Sequence, residues 1–192
     1  MIDMTLEEIR RALSSRATRT ISDTSFTPAA VLLLLYARHG EYYVIFNKRS
    51  QEVEHHKGEI SFPGGMKGPE DKDLRACALR EAWEEMGICP EDVSVLGELD
   101  TVVTQGTRFA VYTFVGTIPY PYRFNVSATE VAEVLEAPLS ALFDPRNQRE
   151  EVYLSPDGVL ARSYAYAYNH HLIYGATARI LRQFLTIFRG PL

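Results

Sequence analysis

Residues 29–37 read AAVLLLLYA and residues 42–49 read YYVIFNKR. They flank RHGE, a turn containing Gly40, and predict a hairpin of buried strands. Strands this apolar need cover on their faces. The chain supplies candidates. In GATARILRQFLTIF (175–188), Ile180, Leu181, Phe184, Leu185 and Phe188 recur at the spacing of an amphipathic helix. Thr5 with Glu8 makes a capping box ahead of Leu6, Ile9 and Leu13, predicting a short first helix. Residues 16–28 are Ser/Thr-rich, end at Pro28 and read as loop. EISF (59–62) predicts a short strand running into a turn at Pro63-Gly64-Gly65. VSVLGELDTVVT (93–104) and FAVYTFVGTI (109–118) are strand-like. TEVAEVLEAPLSAL (129–142) reads as strand or short helix around Pro138. EEVYLSPDGVLARSYAYAY (150–168) predicts a hairpin with its turn at SPDG. The order strands, helix, strands, helix predicts an α/β fold, a mixed β-sheet with helices on its faces. At 192 residues, one domain over 1–192 is expected, with 1–27 as an N-terminal helix and loop.

The net charge is −5 and no basic tract compensates it, which argues against a nucleic-acid partner. An anionic small ligand remains compatible if a cation mediates its binding. Cys77 and Cys89 make no CxxC pair and no zinc-ligand spacing, so packing roles in a reducing cytosol are expected. MIDMTLEEIRRAL is too polar for a signal peptide. The longest apolar run is far short of a membrane span, and FRGPL carries no lipidation box. A soluble, cytoplasmic protein with no membrane partner is expected, with a homodimer left open.

The stretch CALREAWEEMGI (77–88) holds the chemistry. At 100° per residue, Glu81 and Glu85 lie about 40° apart around a helix, with Glu84 about 60° to the other side. Three carboxylates thus crowd one face, and like charges at i,i+4 destabilise a helix. Only Arg80 is placed within the helix to offset them. Leu79, Ala82, Trp83 and Met86 form the expected core-facing stripe. Asp71 or Asp73 is the expected N-cap and Gly87 the expected stop. Hard divalent cations want several carboxylate oxygens, often with substrate phosphates completing the shell. A cation at Glu81, Glu84 and Glu85 would relieve the repulsion and create a phosphate site. Upstream, Gly64 and Gly65 would let backbone approach a ligand closely.

These residues resemble the Nudix hydrolase box, GX5EX7REUXEEXGU with U apolar. Gly65 matches, and Arg80 to Ile88 match at every specified position of the second half. Between Gly65 and Arg80 there is one residue more than the general box has. Counted from Gly65, the early acidic position is Asp71. Counted back from Arg80, it is Lys72. The branch similar to coenzyme A pyrophosphatases carries this longer spacing in several members, with an upstream signature RSxxLRxHxGxIxFPGG. Residues 49–65 read RSQEVEHHKGEISFPGG. Arg49, Ser50, His56, Gly58, Ile60, Phe62, Pro63, Gly64 and Gly65 match, while Val53 replaces Leu and Glu54 reverses a charge.

The resemblance implies a Nudix-type α/β/α sandwich and a pyrophosphohydrolase dependent on Mg²⁺ or Mn²⁺. It makes Glu81 and Glu85 the principal ligands, with Glu84 contributing directly or through water. A carbonyl near Gly65 could add an oxygen. The metal would bridge the pyrophosphate and help produce hydroxide from water. Glu81 is the first choice of base, and Arg80 would orient Glu84 or a neighbouring carboxylate. Glu130 and Glu133 stand where the family often supplies a further base or ligand. Arg49, His56 and Lys57 are candidates to contact the substrate, a small nucleotide-like molecule, alongside Gly64 and Gly65. Coenzyme A or acyl-CoA is the implied substrate. ADP-ribose, NADH, dinucleoside polyphosphates and dNTPs are the alternatives, and a ligand-sensing module without turnover is a further one.

Overall fold

The computed structural model describes residues 4–21, 23–53, 56–104, 107–154, 158 and 160–189. Helix α1 (Leu6–Ser14) starts at the Thr5 capping box, with both reciprocal hydrogen bonds formed. Strands β1 (Thr27–Arg38) and β2 (Glu41–Arg49) make the expected hairpin. Its turn residues, His39 and Gly40, both have positive φ, the conformation that matches the twist of the flanking strands.

The hairpin pairs only as far as Leu34 and Ile45, then opens into a fork. The next segment fills it. Strand β3 (Ile60–Ser61) pairs with β2, and β4 (Gly64–Met66) pairs with β1. The expected turn at Gly64-Gly65 is therefore a strand. A Cβ on Gly64, at φ 152°, would lie 2.2 Å from the Ala30 carbonyl oxygen. Glycine is needed there because two backbones meet, not because the chain reverses.

Helix α2 (Leu74–Met86) is capped by Asp73, which accepts from the Ala76 N–H, and is stopped by Gly87 in the left-handed region. Strands β5 (Ser94–Glu98), β6 (Val102–Val103) and β7 (Phe109–Thr117) follow. β7 runs parallel to β1, so the sheet is mixed. Strand β8 (Val131–Pro138) pairs with the other edge of β2 and leads into helix α3 (Leu139–Phe143), so residues 129–142 supply both expected elements. A separate antiparallel sheet contains β9 (Gln148–Leu154), β10 (Leu160–Tyr168) and β11 (His171–Ile173). Its third strand was not expected from sequence. Ser155, Pro156 and Asp157 of the expected SPDG turn lie outside the described residues, as do Gln105, Gly106 and the terminal Gly190-Pro191-Leu192. Helix α4 (Gly175–Arg189) closes the chain and buries Ile180, Leu181, Phe184 and Leu185; nothing is described of the Phe188 side chain.

Alternate residues of β1 face opposite layers. Ala30, Leu32, Leu34 and Tyr36 pack with α2, while Leu33 and Leu35 pack with α1, α4 and the small sheet. The result is an α/β/α sandwich. No helix of the described residues is long and apolar enough to cross a membrane.

Candidate active site

Helix α2 lies on its side of the sheet with Cys77, Ala78, Ala82, Glu85 and Met86 buried. Trp83, expected in the core stripe, is exposed. The helix is rotated so that a glutamate goes inward where the sequence pattern placed a tryptophan. Alanines and a cysteine let α2 approach β1 closely, and the fork gives the inward carboxylate polar partners that an unbroken sheet would not.

The Glu85 side chain is only 3% exposed. Its Oε2 accepts from the Gly64 backbone N–H at 3.1 Å and from Asn47 Nδ2 at 2.9 Å. Asn47 is itself fixed through Oδ1, which accepts from the Ser61 hydroxyl. Arg49 Nη1 lies 3.7 Å from Glu85 Oε1. Burial pushes the Glu85 carboxyl up to about 8, reinforced by the charges of Glu81 and Glu130 and only partly opposed by the Gly64 N–H and Arg49. Burial likewise raises Glu81, against the pull of Arg80. A Cβ on Gly65 would fall 2.6 Å from the Glu81 carboxylate. The second glycine is thus the cradle of Glu81, as the first is the contact with β1. The Gly65 carbonyl accepts from Cys77 Sγ at 3.6 Å.

Arg80 gathers the remaining acids. Its Nε and Nη2 donate to the two oxygens of Asp71, both at 2.9 Å. Nη1 lies 2.8 Å from Glu84 and 2.9 Å from Glu81. Asp71, its side chain 2% exposed, also accepts from the Gly68 N–H. The Arg80 guanidinium holds its carboxyl down at about 2. Lys72 is exposed. Counting from Gly65 therefore finds the buried acid, and the extra residue is absorbed between Asp71 and the N-cap Asp73. Glu84, 51% exposed, is drawn outward onto Arg80 and away from the Glu81–Glu85 side.

Glu130 and Glu133 separate. Glu130 bears electrostatically on both Glu81 and Glu85. Ser127, Asn125 and Ser50 N–H groups donate to the carbonyls of Glu85, Met86 and Glu130, stitching its loop to α2 and β2. Glu133 pairs across the sheet with Lys48, one residue along from Asn47, and so lies on the opposite face.

A cavity of about 620 Å³ opens beside the fork. Arg49, His56 and Gly64 line it; Lys57 and Gly65 do not. Lys57 is exposed on its loop. His56, with φ 57°, contacts Glu59 through Nδ1 at 3.1 Å. Glu54 and His55 lie outside the described residues. The far wall comes from β10 and α4 through Arg162, Tyr164 and Arg179, residues that sequence reasoning missed because their elements carry no box. Among the described residues three arginines and one carboxylate, Glu59, line the cavity, with Arg162 also paired with Glu150 and Arg49 near Glu85, so the lining itself carries an excess of positive charge.

Two carboxylates that burial hinders from ionising, Glu85 and the Arg80-paired Glu81, thus stand beside a cavity lined by arginines. The NUDIX domain family matches residues 26–161, and the chain belongs to that family. A relative from Photorhabdus laumondii, named Uncharacterized Nudix hydrolase NudL, is 36% identical over 155 residues, covering 81% of each chain. Its namesake from Enterobacter sp. strain 638 is 32% identical over 181 residues, covering 94% of this chain and 93% of its own. Among solved structures, a MutT/nudix family protein from Enterococcus faecalis superposes with a TM-score of 0.53 at 13% identity, covering 94% of this chain and 68% of its own. The Mycobacterium smegmatis Nudix hydrolase RenU gives 0.50 at 23% identity, covering 66% and 81%. These two share the fold. The protein is a Nudix pyrophosphohydrolase, an enzyme class that acts on small nucleotide substrates and generally uses divalent metals.

Proposed function

We propose that this Nudix enzyme hydrolyses the pyrophosphate of coenzyme A or an acyl-CoA, giving 3′,5′-ADP and 4′-phosphopantetheine or its acyl derivative. One observation carries the substrate choice. The signature residues Arg49, His56, Ile60, Phe62 and Gly64 all line the same cavity. That cavity touches the acidic site through Arg49 and Gly64, each of which also meets Glu85.

Glu81 and Glu85 fit a hard cation, Mg²⁺ or Mn²⁺: both are hindered from ionising unaided, and Gly65 leaves the room that Glu81 occupies. Glu130 is the third candidate ligand. A divalent ion bound there supplies charge neutralisation at the phosphates. Asn47 and Gly64 fix the orientation of Glu85. Arg80 holds Glu81 from one side, leaving it the group to take a proton from the attacking water. Arg49 reaches between Glu85 and the cavity, where it can meet a phosphate oxygen. Arg162 and Arg179 offer charge to the 3′-phosphate, and Tyr164 an aromatic wall to the adenine. The small sheet and α4 share the core of the main sheet, which supports reading the chain as one domain.

The test is a product assay on coenzyme A, ADP-ribose, NADH and dNTPs with Mg²⁺ or Mn²⁺. The expected result is preferential cleavage of coenzyme A. Cleavage of ADP-ribose with coenzyme A left intact overturns the substrate choice.

A further inference from the structure

We propose that Glu133, His170 and His171 form a second metal site, chemically distinct from the α2 carboxylates, that takes a transition metal of the Zn²⁺ class. One donor atom from each of the three residues lies within 4.8 Å of the other two. Glu133 Oε1 is 3.0 Å from His171 Nε2. The two imidazole rings have centroids 4.0 Å apart, tilted by 42°. Zn²⁺ sits about 2.0–2.2 Å from nitrogen or oxygen ligands in a tetrahedron, which puts ligand atoms roughly 3.4 Å apart. The Glu133–His171 pair is already near that separation. The remaining gap is at most about 1.4 Å, and His170, whose side chain is exposed, is the ligand that would move to close it.

The surroundings suit a ligand set. His171 is 4% exposed, so its ring is held by packing. Glu133 has its other oxygen, Oε2, 3.8 Å from Lys48 Nζ, which leaves Oε1 turned to the histidines. A His–Glu hydrogen bond alone would account for His171 and Glu133. It leaves His170, whose ring packs against that of His171 with a donor nitrogen near the same two groups. Two imidazoles and one carboxylate favour Zn²⁺, Ni²⁺, Co²⁺ or Cu²⁺ over Mg²⁺ or Ca²⁺, and three protein ligands leave a position for water.

The placement gives the site a consequence. Glu133 belongs to β8 of the main sheet, His171 to β11 of the small one. A metal there clamps one sheet to the other, and β10 of the small sheet carries Arg162 and Tyr164 of the cavity wall. Occupancy would therefore stabilise the fold and stiffen the wall without entering the acidic site.

The experiment is a Co²⁺ titration of the full chain in saturating Mg²⁺, followed by visible absorption and by competition with Zn²⁺. The expected result is about one equivalent of Co²⁺ with histidine ligation, displaced by Zn²⁺ and accompanied by a rise in Tm. His170→Ala is exposed and should fold normally, and it should weaken binding by about tenfold or more. Glu133→Gln should do the same. His56→Ala, which removes a histidine paired with a different glutamate, Glu59, should leave the affinity unchanged. Equal affinity in wild type and His170→Ala, loss of binding only in His56→Ala, or absence of Co²⁺ binding in Mg²⁺ would each overturn the proposal.

Discussion

Asp71 and Glu85 are equally hidden from solvent, 2% and 3% exposed, but Asp71 lies just beneath the surface and Glu85 deep in the protein, and their carboxyls move in opposite directions, to about 2 and to about 8. Burial alone raises both. The greater depth of Glu85 makes burial its largest cause, and what faces each carboxylate accounts for the rest. Asp71 receives two parallel N–H donors of Arg80, from Nε and Nη2, and a backbone N–H. Glu85 receives two neutral N–H donors, an arginine at 3.7 Å, and the repulsion of Glu81 and Glu130. One carboxylate is saturated with positive charge and serves the fold. The other is left in deficit and is suited to a cation supplied from outside. Arg80 enforces the division by binding Asp71, Glu84 and one side of Glu81 at once.

The largest effect should follow from removing the deficit charge. Glu85→Gln keeps an oxygen for Gly64 and Asn47 while abolishing the carboxylate. We expect kcat to fall by about 10³-fold, comparable with the loss of a main electrostatic contact. Tm should hold or rise, since an ionisable group in a dry site is gone. A fall in Tm with kcat preserved would reverse the assignment of the two carboxylates. On the saturated side, Arg80→Ala leaves Asp71 buried without its partner and should cost about 3–5 kcal/mol of stability in a denaturant titration. Arg80→Lys should recover only part of it, because an ammonium cannot make the two parallel contacts. The pH dependence has a definite sign. The folded pKa of Asp71 lies below the unfolded value of 3.8. Its stabilising contribution is thus complete above about pH 4 and is lost as pH falls toward 2. Asp71→Asn should flatten the wild-type stability curve over that window.

How far this division could be read in the sequence follows the range of the interactions. The limits of α2, the capping box of α1, the hairpin and its turn are set by neighbours in the chain, and they match the residues that signal them. The arginine and glutamates of the box announce their chemistry by spacing. The inward turn of Glu85 in place of Trp83 depends on the fork between β1 and β2, a contact tens of residues away that helical periodicity does not contain. The strand at Gly64-Gly65 is three residues long and has no period to detect. Asp71 was ambiguous by one position because a linear count cannot show where a loop absorbs an extra residue. The far wall of the cavity, from β10 and α4, depends on how the small sheet docks.

A gentler perturbation separates positioning from presence. In Gly65→Ala the new methyl group meets the end of the Glu81 side chain, which can rotate, and not backbone. The fold should survive with a Tm shift of a few degrees, while displacement of Glu81 should lower kcat by about 10–10²-fold with a smaller change in KM. Gly64→Ala is the contrast: its methyl meets the Ala30 carbonyl, which the sheet holds, at a φ that favours glycine, so folding should suffer first. If both substitutions lower Tm equally, the second glycine is a backbone requirement like the first, and the cradle assigned to Glu81 fails.

The smallest effect is expected at Glu84, and it sharpens the comparison most. The sequence pattern groups Glu84 with Glu81 and Glu85, whereas the structure pairs it with Arg80 at 2.8 Å on the exposed side of the helix. An i,i+4 ion pair this open contributes less than about 1 kcal/mol. Glu84→Gln should therefore shift Tm by only a degree or two. If Glu84 acts solely by holding Arg80, kcat should drop less than about tenfold and the apparent affinity for Mn²⁺, measured by titration, should stay near wild type. If Glu84 swings inward to share the cation, Mn²⁺ affinity must weaken together with kcat, because removing a carboxylate ligand cannot spare the binding step. Comparing Glu84→Gln with Glu85→Gln in one metal titration decides whether the deficit site is built from Glu81, Glu85 and Glu130 or recruits a fourth acid from the saturated side.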